Sequence, residues 1–259
     1  MIVKKDFIYT PKGKNRPLHI YLPEGYGLSR ERYPVMYFFD GHNLYSDADA
    51  TYGKSWGLKE FLDGWEKDMI VVGIECGHDG QERLSEYLPY AAEDGGWFAG
   101  YEPMGEKTMD WIVEEVKPFI DSHYRTIPFR ECTGIAGSSM GGIMALYAAV
   151  HYNRWFSKAG CVSSAMGFCM RALVADMAGS DISPDTRVYL SWGTREAQGL
   201  ENPEEEDRSS YTYRCNRAAA DHLAELGATT CMRCQVGGGH READWEKLVP
   251  EFMNFLWME

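Results

Sequence analysis

The sequence predicts one α/β domain over residues 1–259: a mostly parallel central sheet with helices on both faces and no large cap domain. Three observations predict it. Short apolar, β-branched runs alternate along the chain with segments of helical period. No repeat, low-complexity tract or long linker divides the chain. A glycine-flanked serine also stands where a strand pattern gives way to a helix pattern. Strand and helix in alternation make each helix a crossover between parallel strands, which covers both sheet faces.

Taken in order, strands are expected at residues 19–22, 35–39, 70–74, 133–136, 159–162, 188–192 and 230–236. Met109, Ile112, Val113, Val116, Phe119 and Ile120 recur at helical spacing and form one buried face. Ile143 to Val150 is a short apolar helix pattern. A further helix spans about residues 213–226, with Gly227 placed to end it in a left-handed cap. Trp245, Leu248, Val249, Phe252, Phe255 and Leu256 repeat the buried-face signature at the carboxyl end. Residues 201–210 (ENPEEEDRSS) read as a solvated loop.

Composition excludes several function classes. With 44% hydrophobic and 25% charged residues in 259, the chain is ordinary globular material and can bury a large core. Its 39 acids against 26 bases leave a net charge of −13, which argues against nucleic acid and anionic membrane as partners. Seven cysteines, an odd and scattered set, read as reduced thiols. No apolar stretch follows the early lysines of MIVKKDFIYTP, and no run approaches the roughly 18 apolar residues of a membrane span. A soluble, cytoplasmic protein is expected.

Gly137-Ser138-Ser139-Met140-Gly141 has the G-x-S-x-G pattern between a strand and a helix. In a nucleophile elbow the serine takes a strained backbone at a sharp turn, and the flanking glycines avoid collisions across it. The following helix aims its amino terminus at the negative charge that develops in the reaction. Ser139 is therefore the expected nucleophile. Its base should follow late in the chain, and His240, after Gly237-Gly238-Gly239 and the last strand, is the candidate. The other histidines read as structural: His19 in a strand, His222 inside a helix, His123 and His151 at helix ends, and His78 in a loop without a helpful neighbour. The acid should follow the strand at 188–192; Glu196 is the expected member, against the reading that it pairs with Arg195 at the surface. Two amides should hold the oxyanion, those of Met140 and of His42 in Asp40-Gly41-His42-Asn43. The His42 side chain is then incidental, and His42→Ala should be mild.

At this point the sequence resembles the putative-esterase branch of the α/β-hydrolases, which includes feruloyl, acetylxylan and enterochelin esterases and S-formylglutathione hydrolases. YFFDGHNLYSDADATYGKSWG, KPFIDSHYRTIP, GIAGSSMGGIMALYAA, GTREA and GGGHREADWEKLVPEFMNFLW carry the resemblance in order over nearly the whole chain. It implies the α/β-hydrolase fold, Ser139, His240 and Glu196 as catalytic residues, the His42 and Met140 amides as oxyanion donors, and no metal or organic cofactor. Several members carry aspartate where this chain has Glu196. Cys231 and Cys234 have C-x-x-C spacing, but on a strand, where residues three apart face opposite sides.

The expected reaction is hydrolysis of a carboxylic ester through an acyl-enzyme, on a small-molecule or oligosaccharide ester with a polar or aromatic acyl group. Glu86, Trp97, Tyr101 and Trp192 are candidates for the substrate pocket, the aromatic ones by stacking. An acyltransferase would use the same acyl-enzyme, and a thioester hydrolase the same residues. A non-catalytic binding protein should have lost one of Ser139, His240 or the glycine pair, and none is lost. Oligomeric state is open, and a homo-oligomer is compatible with this reading.

Overall fold

All seven expected strands form, and three short ones precede or flank the first. The computed structural model describes residues 1–92, 98–196, 204–206 and 208–258. Its strands are β1 (Ile2–Lys5), β2 (Ile8–Tyr9), β3 (Lys14–Asn15), β4 (Leu18–Tyr21), β5 (Val35–Phe39), β6 (Ile70–Ile74), β7 (Thr133–Ser138), β8 (Lys158–Val162), β9 (Arg187–Gly193) and β10 (Thr229–Gln235). Eight of them make one sheet in the order β1-β4-β6-β5-β7-β8-β9-β10, and β2 and β3 pair as a separate ribbon. The pairs β1–β4 and β4–β6 are antiparallel, whereas every pair from β6 to β10 is parallel. β1 escapes sequence reading because it is a half-exposed edge strand, IVKK, with no apolar run of its own.

The central strands are apolar throughout because both faces are covered: VMYFF, IVVGI and TGIAGS are buried at every position. Strand alternation divides them between two cores. Val35, Tyr37 and Phe39 pack on one face with Met109, Ile112, Val116 and the helix Met140–His151. Met36 and Phe38 pack on the other with Leu58, Leu62 and the apolar face of Val249–Trp257. The expected helix around residues 109–120 runs from Gly105 to His123, with one π-turn at Ile112–Val116. The helix Tyr211–Glu225 ends where expected, with Gly227 at φ 96°.

This topology positions the site. Strands β5 to β10 run in one direction, so the loops after all of them open at one edge of the sheet. His42, Cys76, Ser139, Ser163, Glu196 and His240 each lie within about five residues of a strand's carboxyl end. Among the described residues no helix is long and apolar enough to cross a membrane.

Candidate active site

Ser139 occupies the junction of β7 and the helix Met140–His151 with φ 57° and ψ −119°. A non-glycine residue rarely holds such a backbone, and it persists here because both of its peptide groups are tied. Its amide donates to Val162 (3.0 Å), and its carbonyl accepts from Gly142, Ile143 and Ala165. The glycines serve close approach rather than positive φ. A Cβ on Gly137 would sit 2.7 Å from the Gly141 carbonyl carbon, and one on Gly141 would sit 2.9 Å from Phe39 Cβ.

His240 and Glu196 come from neighbouring loops that the backbone stitches together. Thr194 N–H donates to the Gln235 carbonyl and Arg195 N–H to the Gly238 carbonyl (2.9 Å). Gly237 N–H in turn donates to Thr194 Oγ1 (2.8 Å). His240 Nδ1 and Glu196 Oε2 lie 2.8 Å apart. The second carboxylate oxygen, Oε1, accepts from Ser163 Oγ (2.6 Å) and from Gly193 N–H (2.9 Å). Glu196 is thus bound on both oxygens and its side chain is only 10% exposed. Arg195 turns away and pairs with Glu204 instead. The His240 and Trp245 rings also meet in a T-shaped pair, 5.1 Å between centroids.

The loop after β5 brings the third component. Asp40 is left-handed (φ 57°), and Gly41–Asn43 form a single 3₁₀ turn. Gly41 is required there, because a Cβ would collide with the Gly73 backbone of β6. Arg83 grips Asp40 with both prongs, Nε to Oδ1 at 2.7 Å and Nη2 to Oδ2 at 2.8 Å. Burial pushes the Asp40 carboxyl up, Arg83 pulls it down by more, and its pKa lies below the ordinary value. Among the described residues, neither the His42 amide nor the Met140 amide donates to another protein group.

Ser139, His42 and His240 line one cavity of about 390 Å³, together with Arg83, Glu242 and Trp245. Most of the lining residues carry a polar side chain, with Leu84 and Trp245 among the apolar ones. Burial raises the Glu242 carboxyl, the Asp40 charge adding to it.

A profile of the family described as putative esterase matches residues 12–255. The chain belongs to that family. The family's activity is that of an esterase, the hydrolysis of ester bonds. YbbA of Bacillus subtilis (strain 168), an uncharacterized protein, is 24% identical over 257 residues, covering 97% of this chain and 95% of that one. An esterase of Mycobacterium tuberculosis, Rv1288, is 28% identical over 149 residues, 56% of this chain but only 28% of the relative. Among solved structures, an IroE-like serine hydrolase from Shewanella oneidensis superposes with a TM-score of 0.75 at 21% identity, covering 98% of this chain and 80% of that one. A ferulic acid esterase superposes at 0.70 and 17% identity, covering 97% and 95%. At these identities the structural likeness is one of fold.

The esterase fold redistributes the expected pocket residues. Glu86 does not line the cavity: it is buried, takes Arg16 on both oxygens and accepts the Gly77 N–H (2.8 Å) on Oε2. It touches the cavity only through Gly77, which does line it. Tyr101 packs, half-buried, against the main core. Trp192 is buried beside Tyr213 and faces a separate recess with Arg217 and Arg233. Neither ring lines the Ser139 cavity; for Trp192 the reason is that a side chain on β9 points to one sheet face rather than along the strand. Trp97 lies outside the described residues. The aromatic groups that do line the cavity are Tyr52 and Trp245. Trp245 was legible as core from its helical spacing, whereas nothing in the local sequence marks Tyr52.

His78 has neighbours that its sequence context does not reveal. Its Nε2 lies 3.0 Å from Glu75 Oε2, and its ring meets His42 edge-on at 4.7 Å. One donor atom each from His42, Cys76 and His78 falls within 4.8 Å of the others. Among the described residues this is the one group with metal-ligand spacing. The signal was Cys76-Gly77-His78 just past β6, beside the His42 loop just past β5.

Proposed function

We propose that residues 1–259 act as one catalytic domain that hydrolyses small polar carboxylic esters, carbohydrate-linked esters included, through a Ser139 acyl-enzyme. The observation that carries this reading is the strained Ser139 elbow opening into the same cavity as a His240 ring paired at 2.8 Å with Glu196, whose other oxygen is held by Ser163 and Gly193. In this reading Ser139 Oγ attacks the ester carbonyl while His240 takes its proton. Glu196 holds the imidazole by Nδ1, leaves Nε2 for the serine and balances the imidazolium. The His42 and Met140 amides bind the tetrahedral oxyanion, each worth about 3 kcal/mol at such sites. His240 then protonates the departing alcohol, and water repeats the cycle to free the acid.

The polar side chains in the lining support a polar substrate. Arg83, Glu242, Asn43 and Thr51 face the cavity, whereas of the four expected pocket residues none described lines it. Among the structural neighbours are the ferulic acid esterase and an enterobactin esterase from Shigella flexneri solved in the presence of enterobactin, which superposes with a TM-score of 0.71 at 19% identity over 59% of that chain. Hydrolysis of p-nitrophenyl acetate and methyl ferulate by wild type and Ser139→Ala tests it. Turnover of the acetate that vanishes in the variant is the expected result, with the ferulate ester slower. A folded wild type inert on both, and unlabelled by a fluorophosphonate, overturns it.

A further inference from the structure

We propose that His42, Cys76 and His78 form a three-donor site for one divalent ion of the zinc class on the wall of the Ser139 cavity. Strand register brings them together. β5 and β6 are parallel neighbours with Phe39 opposite Ile74, so the chain segments just beyond emerge side by side. One donor atom from each residue then lies within 4.8 Å of the other two, with no metal needed to gather them.

The second observation is a buried donor without a partner. His42 is 92% buried, and its Nδ1 has no hydrogen bond among the described residues. Its Nε2 is taken, 2.9 Å from Thr51 Oγ1. His78 repeats the arrangement, with Nε2 held by Glu75. An oxygen on the far nitrogen is how metal-binding histidines are fixed in one tautomer, with the near nitrogen's lone pair left over. In both residues that leftover atom is Nδ1.

The donor set selects the ion. Two imidazole nitrogens and a sulfur suit zinc and its neighbours and disfavour calcium and magnesium, which want oxygen. Bond lengths of about 2.0–2.3 Å need the donors to draw in by roughly an ångström, which the exposed His78 can supply. Three protein donors leave one position open. As the sulfur–metal bond forms, the Cys76 thiol releases its proton to solvent and both histidines bind neutral, so a +2 ion leaves the site at +1.

All three residues line the cavity that holds Ser139 and His240, so a bound ion takes space a substrate would use. Occupancy should therefore slow ester turnover, a consequence that rests on the esterase reading above.

Chelator-treated full-length protein titrated with Co²⁺ tests the site. The expected result is one equivalent of cobalt with a thiolate-to-cobalt charge-transfer band, displaced by Zn²⁺. Cys76→Ser should abolish the band. Glu75→Gln should weaken Zn²⁺ binding by about 10–100-fold, and His78→Ala, at an exposed position, by more. No bound ion in wild type, or the same affinity and spectrum in folded His78→Ala and Cys76→Ser, overturns the proposal. In the activity arm, Zn²⁺ should inhibit p-nitrophenyl acetate turnover in wild type and at least tenfold less in His78→Ala. Equal inhibition in both overturns the coupling to turnover, while the cobalt spectrum reads the site independently of any esterase activity.

Discussion

Ser163 and Trp245, 82 residues apart, are joined by a buried hydrogen bond: the indole Nε1–H donates to Ser163 Oγ at 2.9 Å. The same hydroxyl gives its own proton to Glu196 Oε1 (2.6 Å), and the Trp245 and His240 rings meet nearly perpendicular to one another. Ser163 is held at φ 45° just past β8, where its N–H donates a hydrogen bond to the Ser191 carbonyl (2.9 Å). One hydroxyl therefore orients the Glu196 carboxylate and anchors the ring beside His240.

Ser163→Ala should remove both bonds and leave the Trp245 N–H buried without an acceptor. A loss of about 1–3 kcal/mol in unfolding free energy is expected, read by urea denaturation, with a fall in kcat at unchanged KM. A variant as stable as wild type would show that the indole finds another partner.

Glu196→Gln keeps the shape of the side chain but removes its charge and can reverse the His240 tautomer. By analogy with amide replacement in other serine triads, kcat should drop about 10⁴-fold with little change in fold. Steady-state kinetics and circular dichroism check this. Activity within tenfold of wild type would move the acid role away from Glu196.

Arg83→Met leaves Asp40, only 7% exposed in its side chain, as a buried carboxylate without its bidentate partner. Breaking such a pair costs about 3 kcal/mol. Because Asp40 begins the turn that presents the His42 amide, kcat should fall together with the melting temperature. Arg83→Lys keeps the charge, loses the fork and should lie between the two.

Acid should loosen the His240 loop through Asp244. Burial raises this carboxyl, but bonds from Lys247, Arg241 and the Gly239 amide outweigh it and leave a pKa of about 2, below the ordinary 3.8. A depressed folded pKa means the contribution is complete above the unfolded value and is lost as pH falls through the folded one. The stability gap between wild type and Asp244→Asn should thus be full at neutral pH, shrink below about pH 5 and close near the folded pKa. Unfolding free energies measured across that range decide it; a gap independent of pH would mean that the charge is not what holds Gly239.

Much of the site could be read from the sequence, and the parts that could not share a cause. Ser139 and His240 are marked locally, by a glycine pattern between a strand and a helix and by a glycine run after the last strand. Glu196 could be narrowed to its loop by chain order, but its rivalry between Arg195 and His240 was settled by the stitching of two loops 44 residues apart. Of the expected aromatic pocket residues, Tyr101 and Trp192 do not line the cavity; for Trp192, proximity along the chain to the right strand end does not say which face a side chain takes. Trp192 lies on β9 itself and turns into a different recess.

The sequence by itself determined the seven main strands, the parallel α/β architecture and the elbow, because hydrophobic period and glycine placement act over a few residues. Tertiary structure decided what strand order brings together. It put Arg83 on Asp40 and Glu86 on Arg16, and it placed Ser163 between Glu196 and Trp245. It also set His42 beside Cys76 and His78, since β5 and β6 pair in a register that no segment encodes on its own.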